Sequence, residues 1–116
     1  MFNVRTDTAG SGFSPVPAEL LDRVVAYFDP NRVILFGSAA RGQATPDSDI
    51  DLLVVVGDDT PSSKVTVKAG YEARRGYAAP ADVIPVREGT FRRNANIAGT
   101  LSRAAMLEGV VVYERP

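Results

Sequence analysis

A layered α/β (α+β) domain, a small mixed β-sheet flanked by helices, is the fold class that this chain of 116 residues predicts. Three observations lead to it. Val33-Ile34-Leu35-Phe36 and Leu52-Leu53-Val54-Val55-Val56 are unbroken apolar runs, which suit strands covered on both faces. Leu20, Leu21, Val24, Val25 and Phe28 recur at helical spacing instead. Segments of the two kinds alternate along the chain, as they do where helices pack on a sheet.

Taken in order, residues 1–14 contain Thr, Asp, Gly and Ser without periodicity and read as a flexible lead or a partner-contacting arm. Residues 15–116 read as one domain, a size that a single core can support. Val16 to Phe28 reads as an amphipathic helix, with Pro17 where a first turn tolerates proline and Asp29-Pro30 as its stop. The first apolar strand follows. Thr45-Pro46-Asp47 and Gly57-Asp58-Asp59-Thr60-Pro61 carry turn chemistry. Aspartates in such turns bond nearby backbone, so the adjacent Asp58 and Asp59 are expected to be structural.

Ser62 to Tyr77 reads as a poorly patterned helix, weakened by about 1 kcal/mol at Gly70. Its Lys64, Lys68, Arg74 and Arg75 make it basic, which is expected to be a solvated face. Ala81-Asp82-Val83-Ile84-Pro85-Val86 reads as a strand, and Pro85 places it at a sheet edge. Phe91 to Leu107 predicts one or two helices broken near Gly99. Ala98, Leu101, Ala105 and Leu107 are expected to face inward, and Ser102 and Arg103 outward. Gly109 ends the helix, and Val110 to Tyr113 forms a last strand.

Composition narrows the function. At 45% hydrophobic residues the chain can bury a core. A net charge of −1 argues against a nucleic-acid binder that works by bulk electrostatics. Zero cysteines exclude disulfides and thiol catalysis. With no signal peptide or membrane span in view, a cytoplasmic location is expected.

The chemistry-bearing stretch begins where the first apolar strand ends. Gly37 permits a sharp turn and close backbone approach to a ligand. Ser38 to Arg41 is expected to open a short helix that Gly42 ends. Free N–H groups, the Ser38 hydroxyl and the Arg41 guanidinium suit phosphate oxygens. Residues 39–48, ten in number, separate this turn from Asp49-Ile50-Asp51. On a strand Asp49 and Asp51 share a face, roughly 7 Å apart at their Cα atoms. Two carboxylates that close repel each other, and a cation between them relieves the repulsion. Oxygen ligands, in a chain with no His or Cys, select Mg²⁺ or Mn²⁺ over zinc. Gly-Ser alone is a common loop, and Asp-x-Asp alone is often an exposed strand edge. Together, each attached to an apolar strand, they describe a site for a metal-bound nucleoside triphosphate.

Gly37, Ser38, Arg41, Gly42, Ser48, Asp49, Ile50, Asp51 and the following apolar run resemble the nucleotidyltransferase superfamily related to DNA polymerase beta. The similarity is closest to its smallest branch, the minimal nucleotidyltransferase (MNT) proteins, and spans about Glu19 to Glu114. The ending Glu108 to Glu114 also resembles that family's. The resemblance implies the polymerase-beta-like fold and a third catalytic carboxylate on a later strand, for which Asp82 is the candidate. It further implies nucleotide binding by Gly37, Ser38, Arg41 and Ser48, and two Mg²⁺ ions held by Asp49, Asp51 and Asp82. ATP would donate AMP to a hydroxyl. Relatives with small-molecule or polynucleotide acceptors carry an additional domain, which is not expected in 116 residues, so the resemblance implies a docked protein. That partner is a small helical HEPN-type toxin, modified at a tyrosine, with this chain as its antitoxin. Two alternatives stay open: a catalytically weak module that neutralises its partner by contact, and a small-molecule nucleotidyltransferase completed in a homo-oligomer.

Overall fold

The computed structural model describes residues 5–6, 16–37 and 50–116. The first strand, β1, is Arg5–Thr6, so part of the expected flexible lead joins the sheet, in parallel with the last strand. Helix α1 is Ala18–Phe28, with Leu20, Val24 and Phe28 buried. Asp29 ends it in the left-handed region, at φ 47°, and donates its N–H to the Val25 carbonyl. Strands β2 (Arg32–Phe36) and β3 (Ile50–Val56) form an antiparallel pair.

The helix expected over Ser62 to Tyr77 is two pieces: a 3₁₀ turn at Ser62–Lys64 and helix α2 at Val67–Ala73. The Thr66 hydroxyl divides them by accepting the Ala69 N–H at 3.0 Å, a local cap that starts α2 afresh. Gly70 is there for packing. A Cβ on it would collide with the Val83 carbonyl, so its absence lets α2 lie directly on the sheet backbone.

Strand β4 (Ala81–Arg87) runs parallel to β3. Helix α3 (Glu88–Asn94) follows at once, earlier than the sequence predicts. Asp58, distant in sequence, accepts the Gly89 N–H at 2.9 Å, and Arg87 binds the Asp58 and Thr60 carbonyls. Asp58 thus has the structural role expected of it. Helix α4 (Leu101–Glu108) begins at Thr100, whose side chain accepts the Arg103 N–H. Its inward face differs from the expected one. Ser102, Ala105 and Met106 are buried, whereas Ala98, Leu101 and Leu107 are exposed and Arg103 is half-buried. Strand β5 (Val110–Glu114) completes the sheet, in the order β1-β5-β2-β3-β4.

Among the described residues β4 is therefore an edge strand, as Pro85 requires. Alternation along β2 and β3 divides the core between the two faces. Leu52, Val54 and Val56 pack with α1 and with Ala69 and Ala73 of α2. Leu53 and Val55 pack with Ile34, Phe36, Phe91 and Ala105. Among the described residues no helix is long and apolar enough to cross a membrane.

The start of α3 is tied to the sheet by charge. The half-buried Glu88 carboxylate accepts from Arg32 at 2.5 and 2.6 Å, Arg92 at 2.7 Å and Asn31 at 3.1 Å. Arg32 also stands over the Phe91 ring, 5.8 Å from its centroid. Burial pushes the Glu88 carboxyl up, but the hydrogen bonds from Arg92, Arg32 and Asn31 outweigh it and leave its pKa below the usual value.

Candidate active site

The site is built where β2 ends and β3 begins. Antiparallel pairing sets Phe36 opposite Asp51, and parallel pairing sets Asp82 opposite Asp51. Registered residues on neighbouring strands share a face, about 5 Å apart at their Cα atoms. The Asp51 and Asp82 carboxylates therefore emerge side by side, on the face that carries Leu53 and Ile84. Asp51 is half-buried and Asp82 exposed. No single-residue slip turns Asp82 away, because the apolar positions of β4 hold it. Val83 packs into one core cluster and Ile84 against the other.

Gly37 closes the other side. It sits at φ 79°, in the left-handed region that glycine tolerates best, immediately after β2. A Cβ placed on it would run into Oδ2 of Asp51. The Gly37 backbone and the Asp51 carboxylate are thus in contact because the residue is a glycine. This gives a physical reason for a glycine turn beside a carboxylate strand.

The donor set is all oxygen, and two like charges on adjacent strands favour a hard divalent cation between them. Ser38, Arg41, Gly42, Ser48 and Asp49, also named from the sequence, lie outside the described residues. Among the described residues no cluster of three or more His, Cys, Asp and Glu side chains forms, since Asp51 and Asp82 are two.

Sequence reasoning did not find the surface next to Asp82. Between α2 and the outer edge of β4 lies an open groove of about 280 Å³ that Asp82 lines, together with Val67 and Tyr71 from α2. The legible signal was Thr66, a helix-cap residue in mid-segment, which would have turned Val67 and Tyr71 onto a separate short helix. The basic residues of this region serve structure. Lys64 binds the Tyr27 carbonyl at 2.7 Å, Arg74 the Ala79 carbonyl at 2.7 Å, and Arg75 pairs with Glu72.

Comparison with known proteins bears on the fold. The sequence model of the nucleotidyltransferase domain matches residues 18–106. A solved structure from Sulfolobus solfataricus, provisionally described as a nucleotidyltransferase, is similar with a TM-score of 0.54 and 25% identity. The match covers 84% of this chain and 76% of that one. No curated protein matched the chain. The matched family model runs from the start of α1 into α4 and includes the strands that bear Asp51 and Asp82, and the chain belongs to the nucleotidyltransferase domain family.

Proposed function

We propose that this protein transfers AMP from ATP to a hydroxyl of a partner protein, in a reaction that requires Mg²⁺ or Mn²⁺. The observation that carries the reading is the Asp51–Asp82 pair, in register on parallel strands and bounded by Gly37, in a chain of this family. Asp49, Asp51 and Asp82 would hold the cations. When bound, these would neutralise the triphosphate and the charge that develops on the entering and leaving oxygens. Gly37, Ser38, Arg41 and Ser48 would bind the phosphates, so that catalysis is mainly positioning. The acceptor oxygen forms a bond to the α-phosphorus, the bond to the pyrophosphate oxygen breaks, and the hydroxyl proton passes to the Asp82 carboxylate.

The partner in this reading is a small helical HEPN-type toxin, the acceptor is one of its tyrosines, and the chain is its antitoxin. The support is the MNT-like arrangement from Gly37 to Asp51 and the open flank beside Asp82. The test incubates the protein with labelled ATP, Mg²⁺ and the helical product of a neighbouring reading frame, then maps added AMP by mass spectrometry. AMP on a tyrosine of that product is expected. Unmodified but inhibited product would replace the reading with neutralisation by contact.

A further inference from the structure

Helix α4 shows its larger apolar side chains to solvent. Leu101 is 47% and Leu107 49% exposed, while Ser102, Ala105 and Met106 are buried. At about 100° per residue, Leu101, the half-buried Ala104 and Leu107 fall within an arc of about 120°, opposite that buried side. Single exposed apolar residues are ordinary on a protein surface, but here two leucines flank an alanine on one helix face. We infer that this stripe is a self-association surface, through which two copies of the chain pair with their α4 helices antiparallel about a two-fold axis at Ala104.

The stripe itself selects a second copy as the occupant. A two-fold interface must be complementary to itself, and Leu-x-x-Ala-x-x-Leu reads the same from either end. Antiparallel pairing about Ala104 sets Leu101 of each copy against Leu107 of the other. It sets Ala104 against Ala104, where a small side chain lets the helices approach closely. Charge agrees with that direction. Glu108 ends α4 and comes level with Thr100, the N-cap of the other α4, where the helix dipole favours an anion. Arg103 lies outside the arc, its guanidinium donating to the Ala95 carbonyl at 3.2 Å. With a net charge of −1, two copies repel each other little. The apolar face of an eight-residue helix is smaller than the about 800 Å² per partner of a standard interface, so the dimer is weak and depends on concentration. It forms next to the candidate site. Gly109 leads from α4 to Val110, which is registered with Leu35, one residue before the Phe36–Asp51 pair. The second copy thus brings the turn at Ile97 to Thr100 to the end of α4 that adjoins the carboxylates.

The experiment follows the full chain by analytical ultracentrifugation from micromolar to millimolar concentration, where a monomer–dimer equilibrium is expected. Leu101→Asp and Leu107→Lys place an acid in the first turn of α4 and a base in the last, which the helix dipole tolerates, so circular dichroism should show both folded. Each variant alone weakens dimerisation at least tenfold. An equimolar mixture of the two regains it, because antiparallel pairing sets the new Asp against the new Lys. The chain has no cysteine, so Ala104→Cys reports the axis directly. Under mild oxidation it should form a disulfide-linked dimer at least tenfold faster than Val67→Cys, which is 78% exposed but lies on α2. A monomer at every concentration overturns the inference and leaves the α4 face to a different partner. A dimer that both charged variants leave intact, a mixture that does not regain it, or equal cross-linking of the two cysteine variants also overturns it.

Discussion

Gly37 and Asp51 fit together so closely that a single methyl group between them would overlap the carboxylate. The turn after β2 and the acidic start of β3 are therefore one structural unit, and a change in one is transmitted to the other. Gly37→Ala tests this. Alanine at φ 79° costs about 1–2 kcal/mol of backbone strain, and the Cβ must also displace the carboxylate. Because a shift of about 1 Å at a catalytic group can cost on the order of 10²-fold in rate, AMP transfer should fall by about that factor. Circular dichroism should show a folded chain. Wild-type activity in Gly37→Ala would mean that the Asp51 position is not critical.

The proposed metal dependence rests on the same pair of strands. Mg²⁺ should raise the thermal midpoint of the wild-type protein, since a ligand that binds only the folded state stabilises it. Asp51→Asn and Asp82→Asn should each reduce or remove that increase, and EDTA should abolish transfer. An equal Mg²⁺-dependent rise in the Asp51→Asn, Asp82→Asn double variant would place the cation elsewhere.

Gly70 sets two effects against each other. Alanine is the better helix former by about 1 kcal/mol, yet its Cβ would meet the Val83 carbonyl, which belongs to backbone and cannot rotate away. Overpacking of this kind costs roughly 1–3 kcal/mol, so packing outweighs propensity. Gly70→Ala should lower the denaturation midpoint, and a rise would show that α2 can lift from the sheet without cost.

These cases show what the sequence could reveal. The two-faced strands were legible in their apolar runs, the edge position of β4 in Pro85, and the end of α1 in Asp29-Pro30, because each signal is local. The inward face of α4 was not. Ser102, Ala105 and Met106 turn inward while the larger Leu101 and Leu107 stay outside, a choice made by fit against the sheet and not by hydrophobicity. The early start of α3 depends on Asp58, thirty-one positions before Gly89, so no local pattern announces it. Within the site, the Asp-x-Asp spacing pointed to a pair on one strand. The partner the structure describes for Asp51 is Asp82, brought beside it by the β3–β4 register.

Glu88 predicts a pH dependence. Burial raises its pKa, and the hydrogen bonds from Arg92, Arg32 and Asn31 lower it further than burial raises it. Its folded value therefore lies below the ordinary 4.5. The stabilisation is present above pH 4.5 and is lost as pH falls through the folded pKa. Glu88→Gln should destabilise the protein at pH 7 by about 1–3 kcal/mol, because the partly buried Arg32 loses its carboxylate. It should also flatten the acid limb of a stability–pH curve. If wild type and variant lose stability in parallel below pH 4.5, Glu88 is not the group responsible.

The most direct measurement is the rate of label transfer from α-labelled ATP, with Mg²⁺ and the partner product, by wild type and by a folded Asp51→Asn, Asp82→Asn double variant. The account predicts AMP on the partner with wild type and loss of at least three orders of magnitude in the variant, of the order of removing a set of groups that act as a unit. A folded double variant that transfers AMP at the wild-type rate would contradict it.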